Sequence, residues 1–270
     1  MKSAVTICLV SQARRGPFVF HDGLANGCSR AAKFGFDAVE IFPPSAEAVD
    51  RAELEELLAR NHLAVAAFGT GAGKLVRNLT LTSPDEATRT AARHFIAEII
   101  ELGGRFGAPA IIGSMQGRGS DEDDRGLALD WLRESLNDLG EQASSHGVPL
   151  LLEPLNRYET NLFNRLHQTV DFIGSLTTGN VRILADLFHM NIEEADMAAA
   201  LCEAGPLIGH VHFADSNRQA VGFGHTDVAP VISALRQIGY TGYLSSEVFP
   251  LPTADAAAEQ TIAAIRRFTD

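Results

Sequence analysis

The chain has 270 residues, of which 46% are hydrophobic and 21% are charged, a composition that excludes an extensively disordered protein. Its formal net charge of −12 disfavours nucleic acid or an anionic membrane surface as a partner. The three cysteines lack C-x-x-C spacing, the N-terminus lacks a signal-peptide pattern, and no apolar run approaches the ~18 residues of a membrane span. We therefore expect a cytoplasmic protein that binds neither nucleic acid nor membrane.

Short aliphatic runs recur along the chain at a mean spacing of roughly 34 residues, and each is typical of a buried strand. They lie at 3–10, 37–42, 63–68, 109–114, 148–153, 181–186, 208–213 and 242–248. The segments between them carry apolar residues at helical spacing, such as Phe95, Ile99 and Leu102. This alternation predicts an α/β protein, a (β/α)8 TIM barrel that forms a single domain over 1–270. A doubly wound open sheet is the second choice.

Helix boundaries are marked by residues that satisfy free backbone groups. Ser83, Pro84 and Glu86 predict a helix with Ser83 as the N-cap and the proline in its first position. Ser120, which three acidic residues follow, predicts another helix start. Left-handed positions at helix ends are predicted for Gly107, Gly147 and Gly239.

Each of the four late strands ends at or near a side chain that can bind a metal ion: Glu153, Asp186, His212 and Glu247. A single carboxylate at such a position more often caps a helix or faces solvent. Four in consecutive units would leave buried charges that a cation must compensate, at the end of the barrel where active sites form. Three carboxylates and one imidazole suit Mn²⁺, Mg²⁺ or Co²⁺ better than a closed zinc site, which would favour thiolates and more histidine.

The seventh predicted strand contains two histidines on the same face. Because His210 and His212 are two residues apart, one lies a layer deeper in the barrel than the other. We assign the ligand role to His212, which is nearer the end of the strand, and a supporting or core role to His210.

A resemblance to a known family is carried by EPLNRYE (153–159), DLFHMNIEE (186–194), HVHFADSNR (210–218), GFGH (222–225) and SSEVFP (245–250). These segments resemble the xylose-isomerase-like barrel superfamily, and within it the ketose 3-epimerases of the D-tagatose and D-psicose type. The match is strong over 148–250 and only architectural before it. The resemblance implies one Mn²⁺ or similar ion on the four residues named above, sugar contacts by Glu159, His189 and Arg218, and a homodimer or homotetramer.

The three residues that the resemblance assigns to the sugar also have suitable chemistry. The Arg218 guanidinium can donate to several sugar oxygens, although a surface pair with Asp215 is an equal alternative. His189 can polarise a carbonyl oxygen beside the metal, or be a loop histidine without a role. Glu159 can hydrogen-bond a protonated Glu153 or a sugar hydroxyl, or simply face solvent.

Together these features predict a metal-dependent isomerase or epimerase of a small keto sugar or derivative. A metal that binds the carbonyl and the neighbouring hydroxyl would acidify the C3 proton and stabilise an enediolate. Glu153 and Glu247 would remove the proton on one face and return it on the other. Alternatives in the same barrel are aldose–ketose isomerisation and a lyase or dehydratase acting on a keto-inositol or a 3-keto glycoside. An abasic-site endonuclease and a non-catalytic sugar-binding barrel are less expected.

The early part of the chain supplies candidate pocket walls. In ketose 3-epimerases, tryptophan or tyrosine from the early strands usually lines the pocket. The one tryptophan of this chain, Trp131, lies instead in a predicted helix. The remaining aromatic candidates are Phe18, Phe20, Phe42 and Phe68. The glycine-rich segment 69–74 fails the phosphate-loop patterns and predicts a flexible rim loop, and 114–119 predicts a substrate lip.

Overall fold

Eight parallel strands close into a barrel in chain order in the computed structural model, which describes residues 1–119 and 122–269, and only the backbone of 122 and 123. The strands are β1 (Lys2–Cys8), β2 (Ala38–Phe42), β3 (Ala64–Gly69), β4 (Ala110–Ile112), β5 (Leu150–Leu152), β6 (Val181–Asp186), β7 (Ile208–His212) and β8 (Tyr243–Ser246). The closing pair is β1 with β8. The predicted barrel is confirmed, and the open sheet is excluded.

Helices surround the barrel. Among the described residues they are α1 (Gly23–Phe34), α2 (Arg51–Asn61), α3 (Ala72–Arg77), α4 (Glu86–Arg105), α5 (Glu122–Ser145), α6 (Leu166–Gly174), α7 (Leu187–Glu193), α8 (Met197–Ala204), α9 (Ala229–Gln237) and α10 (Ala254–Thr269). None of these helices combines the length and the apolar character that a membrane crossing requires. The predicted helix start at Ser120 lies outside the described residues.

Helix ends agree with the sequence in part. Gly107, Gly147 and Gly239 have φ angles of 63°, 72° and 72°, so the predicted left-handed positions are confirmed. The predicted N-cap of α4 was wrong, because the Asp85 carboxylate, not Ser83, accepts the Thr88 backbone N–H at 2.9 Å. Ser83 lies in the preceding turn, where its hydroxyl accepts the Asp85 N–H at 3.2 Å.

The rim after β3 also differs from the prediction. The 69–74 segment is not a flexible loop, because α3 begins at Ala72, only three residues after the end of β3. Residues Ser114–Gln116 form a short 3-10 helix after β4. Both segments therefore bring fixed backbone to the C-terminal rim of the barrel.

The ends of the late strands lie at nearly the same height. Asp186 is the last residue of β6 and pairs in register with His212, the last residue of β7, which in turn pairs with Ser245 of β8. Glu153 and Glu247 each follow directly after a strand. Below them, the barrel interior contains a separate apolar layer of Ala67, Ile111, Leu151 and Leu184.

Candidate active site

The four candidate ligands come together at the C-terminal end of the barrel. One ligand atom from each of Glu153, Asp186, His212 and Glu247 lies within 4.8 Å of the others. His212 Nδ1 is 3.7 Å from both Glu153 Oε1 and Asp186 Oδ2, and 3.6 Å from Glu247 Oε2. Ligands about 2.1 Å from a common ion lie roughly 3 to 4.2 Å apart, so these distances fit one divalent cation.

Two atoms of this cluster have no hydrogen-bond partner although they are buried. These are His212 Nδ1 and Asp186 Oδ2, and both residues are 1% exposed. Buried polar atoms without partners cost free energy, and a cation at this point would satisfy both. Three carboxylates and an imidazole are also the donor set that Mn²⁺, Mg²⁺ or Co²⁺ accepts. The residues therefore fit a divalent ion.

Glu40, which the sequence analysis missed, holds both histidines of β7. Its carboxylate lies 2.8 Å from His210 Nε2 and 3.1 Å from His212 Nε2, and the residue is 4% exposed. An ionised carboxylate only accepts, so His212 keeps a proton on Nε2 and turns Nδ1, the atom that is left for a metal ion, towards the site. The signal in the sequence was a glutamate between Val39 and Ile41 in a buried strand, which requires a partner.

Glu40 and His212 stabilise each other's charges. Burial opposes ionisation of Glu40, but His212 and His210 hold the pKa of its carboxyl well below the usual range. Burial likewise opposes charge on His212, but Glu40 and Glu247 raise the pKa of its imidazole well above the usual value. Glu40, His210 and His212 also have potential ligand atoms close together. Because they satisfy each other through hydrogen bonds, this second set needs no cation.

The pKa of Glu247, one of the four candidate ligands, is raised towards neutral pH. Burial raises the pKa of its carboxyl to about 7, with Glu153 and Asp186 adding to the rise while His212 and Arg218 oppose it. Burial, together with the neighbouring carboxylates, thus favours a proton on Glu247 near neutral pH. A bound cation would replace that proton as the compensating charge.

His189 presents a hydrogen-bond donor to the same point. Its Nδ1 lies 3.2 Å from the Asn156 backbone N–H and 2.7 Å from Asn156 Nδ2, so Nδ1 is an acceptor. The proton is therefore on Nε2, which has no partner and lies 3.5 Å from Asp186 Oδ2 and 3.7 Å from Glu153 Oε1. This N–H can donate to an oxygen of a ligand bound beside the cluster.

Arg218 projects over the cluster from the loop after β7. Its Nη2 lies 2.6 Å from Glu247 Oε2, and its guanidinium carbon lies 4.9 Å from the centre of the Phe188 ring. The alternative of a surface pair with Asp215 is excluded, because the Asp215 carboxylate instead accepts four backbone N–H groups, from Ser216, Gly222, Gly224 and Thr226. Asp215 thereby shapes the loop that presents the arginine.

Glu159 lies at the mouth of the site, with its side chain 40% exposed. Its Oε1 accepts from Asn156 Nδ2 at 3.1 Å and lies 3.8 Å from Arg218 Nη1. Asn156 therefore contacts both His189 and Glu159, and it is a second residue that the sequence analysis missed. The suggested hydrogen bond between Glu159 and Glu153 is not found among the described residues.

Glu153 is supported by the segment after β4. Gln116 Nε2 donates to the Glu153 carbonyl oxygen at 2.9 Å and to the Gly113 carbonyl oxygen at 3.0 Å. A methyl group on Gly113 would lie 2.4 Å from Glu153 Oε2, so only glycine leaves room for the carboxylate. Neither residue was recognised from the sequence, since a glycine and a glutamine in a rim segment have many roles.

A cavity of about 340 Å³ opens above the cluster. Its volume is adequate for a small ligand. Of the four candidate aromatic residues, Phe18 and Phe42 line it, whereas Phe20 and Phe68 are fully buried in the core. Ser114 lines it as well, in agreement with the predicted substrate lip.

Known proteins with related sequences include epimerases of keto sugars. Residues 28–268 match the xylose isomerase-like TIM barrel family. A D-psicose 3-epimerase of Agrobacterium fabrum is 30% identical over 243 residues, which cover 88% of this chain and 80% of the relative. An L-ribulose 3-epimerase of Mesorhizobium japonicum is 32% identical over 229 residues, covering 82% and 74%. The crystal structure of D-psicose 3-epimerase with D-tagatose from Clostridium cellulolyticum H10 has a TM-score of 0.82, 24% identity and full coverage of both chains, which supports the fold.

Proposed function

The chain belongs to the xylose isomerase-like TIM barrel family, and we propose from this premise that it is a divalent-metal-dependent 3-epimerase of a small ketose. The relatives confirm the predicted reaction class, because they are epimerases of keto sugars. The observation that carries the metal dependence is the convergence of four ligand atoms, two of which are buried and lack hydrogen-bond partners. We also propose that the enzyme is a cytoplasmic homo-oligomer, a dimer or tetramer.

Glu153, Asp186, His212 and Glu247 would hold the ion, with Mn²⁺ the first choice and Mg²⁺, Co²⁺ or Zn²⁺ as alternatives. The ion supplies Lewis acidity, which makes the carbon acid next to the ketose carbonyl easier to deprotonate. Glu40 orients His212 by accepting its Nε2 proton. The network thus keeps the imidazole in the tautomer that a ligand role requires.

Glu153 and Glu247 are the proposed proton carriers. They follow β5 and β8, which are separated around the barrel by β6 and β7, so they reach a bound ketose from different sides. One carboxylate takes the proton from C3, and the other returns a proton to the opposite face, which inverts the configuration. Arg218 Nη2 already donates to Glu247 Oε2, and this contact orients that carboxylate during the transfer.

The remaining polar groups position the sugar. His189 donates its Nε2–H to the substrate oxygen that gains negative charge as the C3 proton leaves. Arg218 and Glu159, whose side chains lie 3.8 Å apart at the mouth, provide a donor and an acceptor for sugar hydroxyls. Together they hold the C2–C3 region between the two glutamates.

Glutamine substitutions test the proposal. We expect Glu153→Gln and Glu247→Gln each to reduce kcat at least ~100-fold, because an amide cannot accept the C3 proton. D-Fructose and D-tagatose are incubated with the Mn²⁺-loaded enzyme in deuterated water, and NMR follows deuterium at C3 of the inverted ketose. The matched control is Glu134→Gln, at an exposed position on α5.

Two results would contradict this function. Full epimerisation by either glutamine variant with Mn²⁺ still bound would exclude the proposed proton carriers. An aldose, or a dehydrated product, in place of the inverted ketose would show that the site performs isomerisation or elimination instead.

A further inference from the structure

The cavity has two chemically different halves. Apart from Glu40, its charged groups come from the ends of β5 to β8 and the segments after them, whereas the lining from β1 to β4 and the segments after them includes Phe18, Phe42, Leu75 and Ile111. Because the strands run around the barrel in chain order, the early segments face the late ones across the mouth. We call the side formed by these four residues the apolar half.

The aromatic pair of the apolar half is held in place. The Phe18 and Phe42 rings are stacked, with centroids 4.6 Å apart and planes 25° from parallel. A methyl group on Gly69 would lie 2.6 Å from Phe42 Cδ2, and one on Gly16 would lie 2.9 Å from Phe18 Cε2. Glycine at both positions lets the rings occupy these places at the edge of the cavity.

Few polar side chains on this side can bind sugar hydroxyls. Four of the described residues that line it have polar side chains: Gln12, Glu40, Thr70 and Ser114. The Thr70 hydroxyl donates to the Ile111 carbonyl oxygen at 2.6 Å, and Glu40 binds the two histidines. Hydroxyl groups at the remote end of an unsubstituted ketose would therefore lose water for few replacement partners.

The apolar surface continues out of the cavity. Leu75 on α3 lines the mouth and is 52% exposed. Val76, the next residue, is 43% exposed but does not line the cavity. A ligand that reached Leu75 would cover apolar surface that the chain itself leaves in contact with water.

We propose that the apolar half binds an aryl or alkyl substituent on the ketose, joined as an ether at the end remote from the carbonyl. The chemistry at the charged half is that of the proposed function, on which this inference rests. The substituent lies against Phe42 and extends towards Leu75. The natural substrate is therefore a substituted keto sugar rather than a free ketose.

Matched substrates test the substituent. D-Fructose carrying a 6-O-benzyl or a 6-O-methyl group is supplied to the Mn²⁺-loaded enzyme, and kcat/KM is measured for each from deuterium entry at C3. We expect the benzyl ether to be preferred by about 10-fold or more, the size of effect that apolar pockets produce. Leu75→Ser should reduce kcat/KM for the benzyl ether several-fold and leave the methyl ether unchanged. Val76→Ser is the control, and it should alter neither value.

The result separates this inference from the proposed function. Equal kcat/KM for the two ethers, or an equal loss for both in Leu75→Ser, would contradict the proposal that the apolar half binds the substituent. The epimerase proposal would survive either result. If neither ether is epimerised but D-fructose is, the substituent proposal fails and the epimerase proposal survives. If D-fructose is not epimerised either, the epimerase proposal fails, and saturation-transfer NMR on the metal-free protein decides the inference. Saturation transfer from the protein to the benzyl protons, weakened in Leu75→Ser, would support binding of the substituent by the apolar half. No transfer to these protons would exclude that binding.

Discussion

Glu40 is not one of the four candidate metal ligands, but it orients one of them, His212, by a hydrogen bond. Its carboxylate bridges His210 and His212 and is buried beneath the candidate ligands. Each oxygen accepts from a different imidazole. The orientation of His212 on β7 therefore depends on β2, from which it is separated around the barrel by β1 and β8.

Replacing Glu40 by glutamine should weaken metal binding. An amide has one acceptor oxygen, so Glu40→Gln cannot accept from both imidazoles, and we expect the Mn²⁺ affinity to fall about 10- to 100-fold. Isothermal titration with Mn²⁺ measures the change, and circular dichroism verifies the fold. An unchanged Kd in this variant would show that His212 needs no such support. Glu134→Gln serves as the control.

Gly113 should be equally sensitive, for a steric reason. In Gly113→Ala the added methyl group would meet Glu153 Oε2 at 2.4 Å, so the carboxylate must move. We expect at least about 10-fold loss of kcat/KM, since small displacements of a reacting group have effects of this size. Gly126→Ala on α5, where an added Cβ meets nothing within 4 Å, is the control. Equal activity of the two variants would contradict the prediction.

At the residue scale, sequence reasoning predicted that side chains at the ends of strands lie close together, and their role as metal ligands stays a prediction. Glu153, Asp186, His212 and Glu247 all occupy such positions, and the structure brings them together. It failed for Glu40, which lies inside a strand, because pairing across the barrel cannot be read from a linear pattern. The buried charge itself was visible in the sequence, but its partners were not.

The loop between β7 and α9 depends on one carboxylate. Asp215 accepts four backbone N–H groups, and Arg218 within the loop has a left-handed φ of 57°. We expect Asp215→Ala to lower the free energy of unfolding by about 2–3 kcal/mol, because the loop loses hydrogen bonds to a charged acceptor. Urea unfolding measures this loss. Ser233→Ala on α9 is a control that should change stability by less than about 1 kcal/mol.

The same residue predicts an acid dependence. Burial opposes ionisation of Asp215, but the N–H groups of Thr226, Gly222 and their neighbours hold the pKa of its carboxyl below the usual range. The stabilisation is therefore present above the ordinary carboxyl pKa of about 4 and is lost as pH falls through the lower, folded-state pKa. Below pH ~4 the stability of wild type should fall more steeply than that of Asp215→Ala. Parallel curves would contradict this assignment.

At the element scale the sequence identified every strand but not every boundary. Period and composition locate buried strands well, because parallel strands are apolar on both faces. The start of α4 was misplaced by two residues, since Ser83 and Asp85 are both N-cap residue types beside Pro84. The short helix α3 was missed because its glycines suggested a loop.

The stability of the whole barrel should depend on the ion. Removal of the cation leaves His212 Nδ1 and Asp186 Oδ2 without partners and three carboxylates in proximity. Mn²⁺ at 100 times its Kd should therefore add about 2.7 kcal/mol to the free energy of unfolding. The melting temperature of the wild-type protein is measured with Mn²⁺ and with EDTA, and the same pair of measurements is made on Asp186→Asn. A melting temperature that is indifferent to Mn²⁺ in the wild-type protein would contradict the metal site.

For the whole molecule, the repeated βα rhythm was sufficient to predict the closed barrel. The chemical division of the cavity was not predictable, because it depends on which rim segments face each other. Phe18 and Phe42 reach the cavity, whereas Phe20 and Phe68, with the same side chain, fill the core. Only the register and the rim geometry separate these cases.

The two oxygens of Asp186 serve different structures. Oδ1 accepts the Phe188 N–H at 2.8 Å and so anchors the first turn of α7, while Oδ2 faces the candidate ligands. Because α7 carries His189, a cation large enough to displace the Asp186 carboxylate would also move the start of the helix that positions the His189 imidazole. Exchanging one ion for another is thus a mechanical change as well as an electronic one, and catalytic rates across a series of metals need not follow their acidity alone.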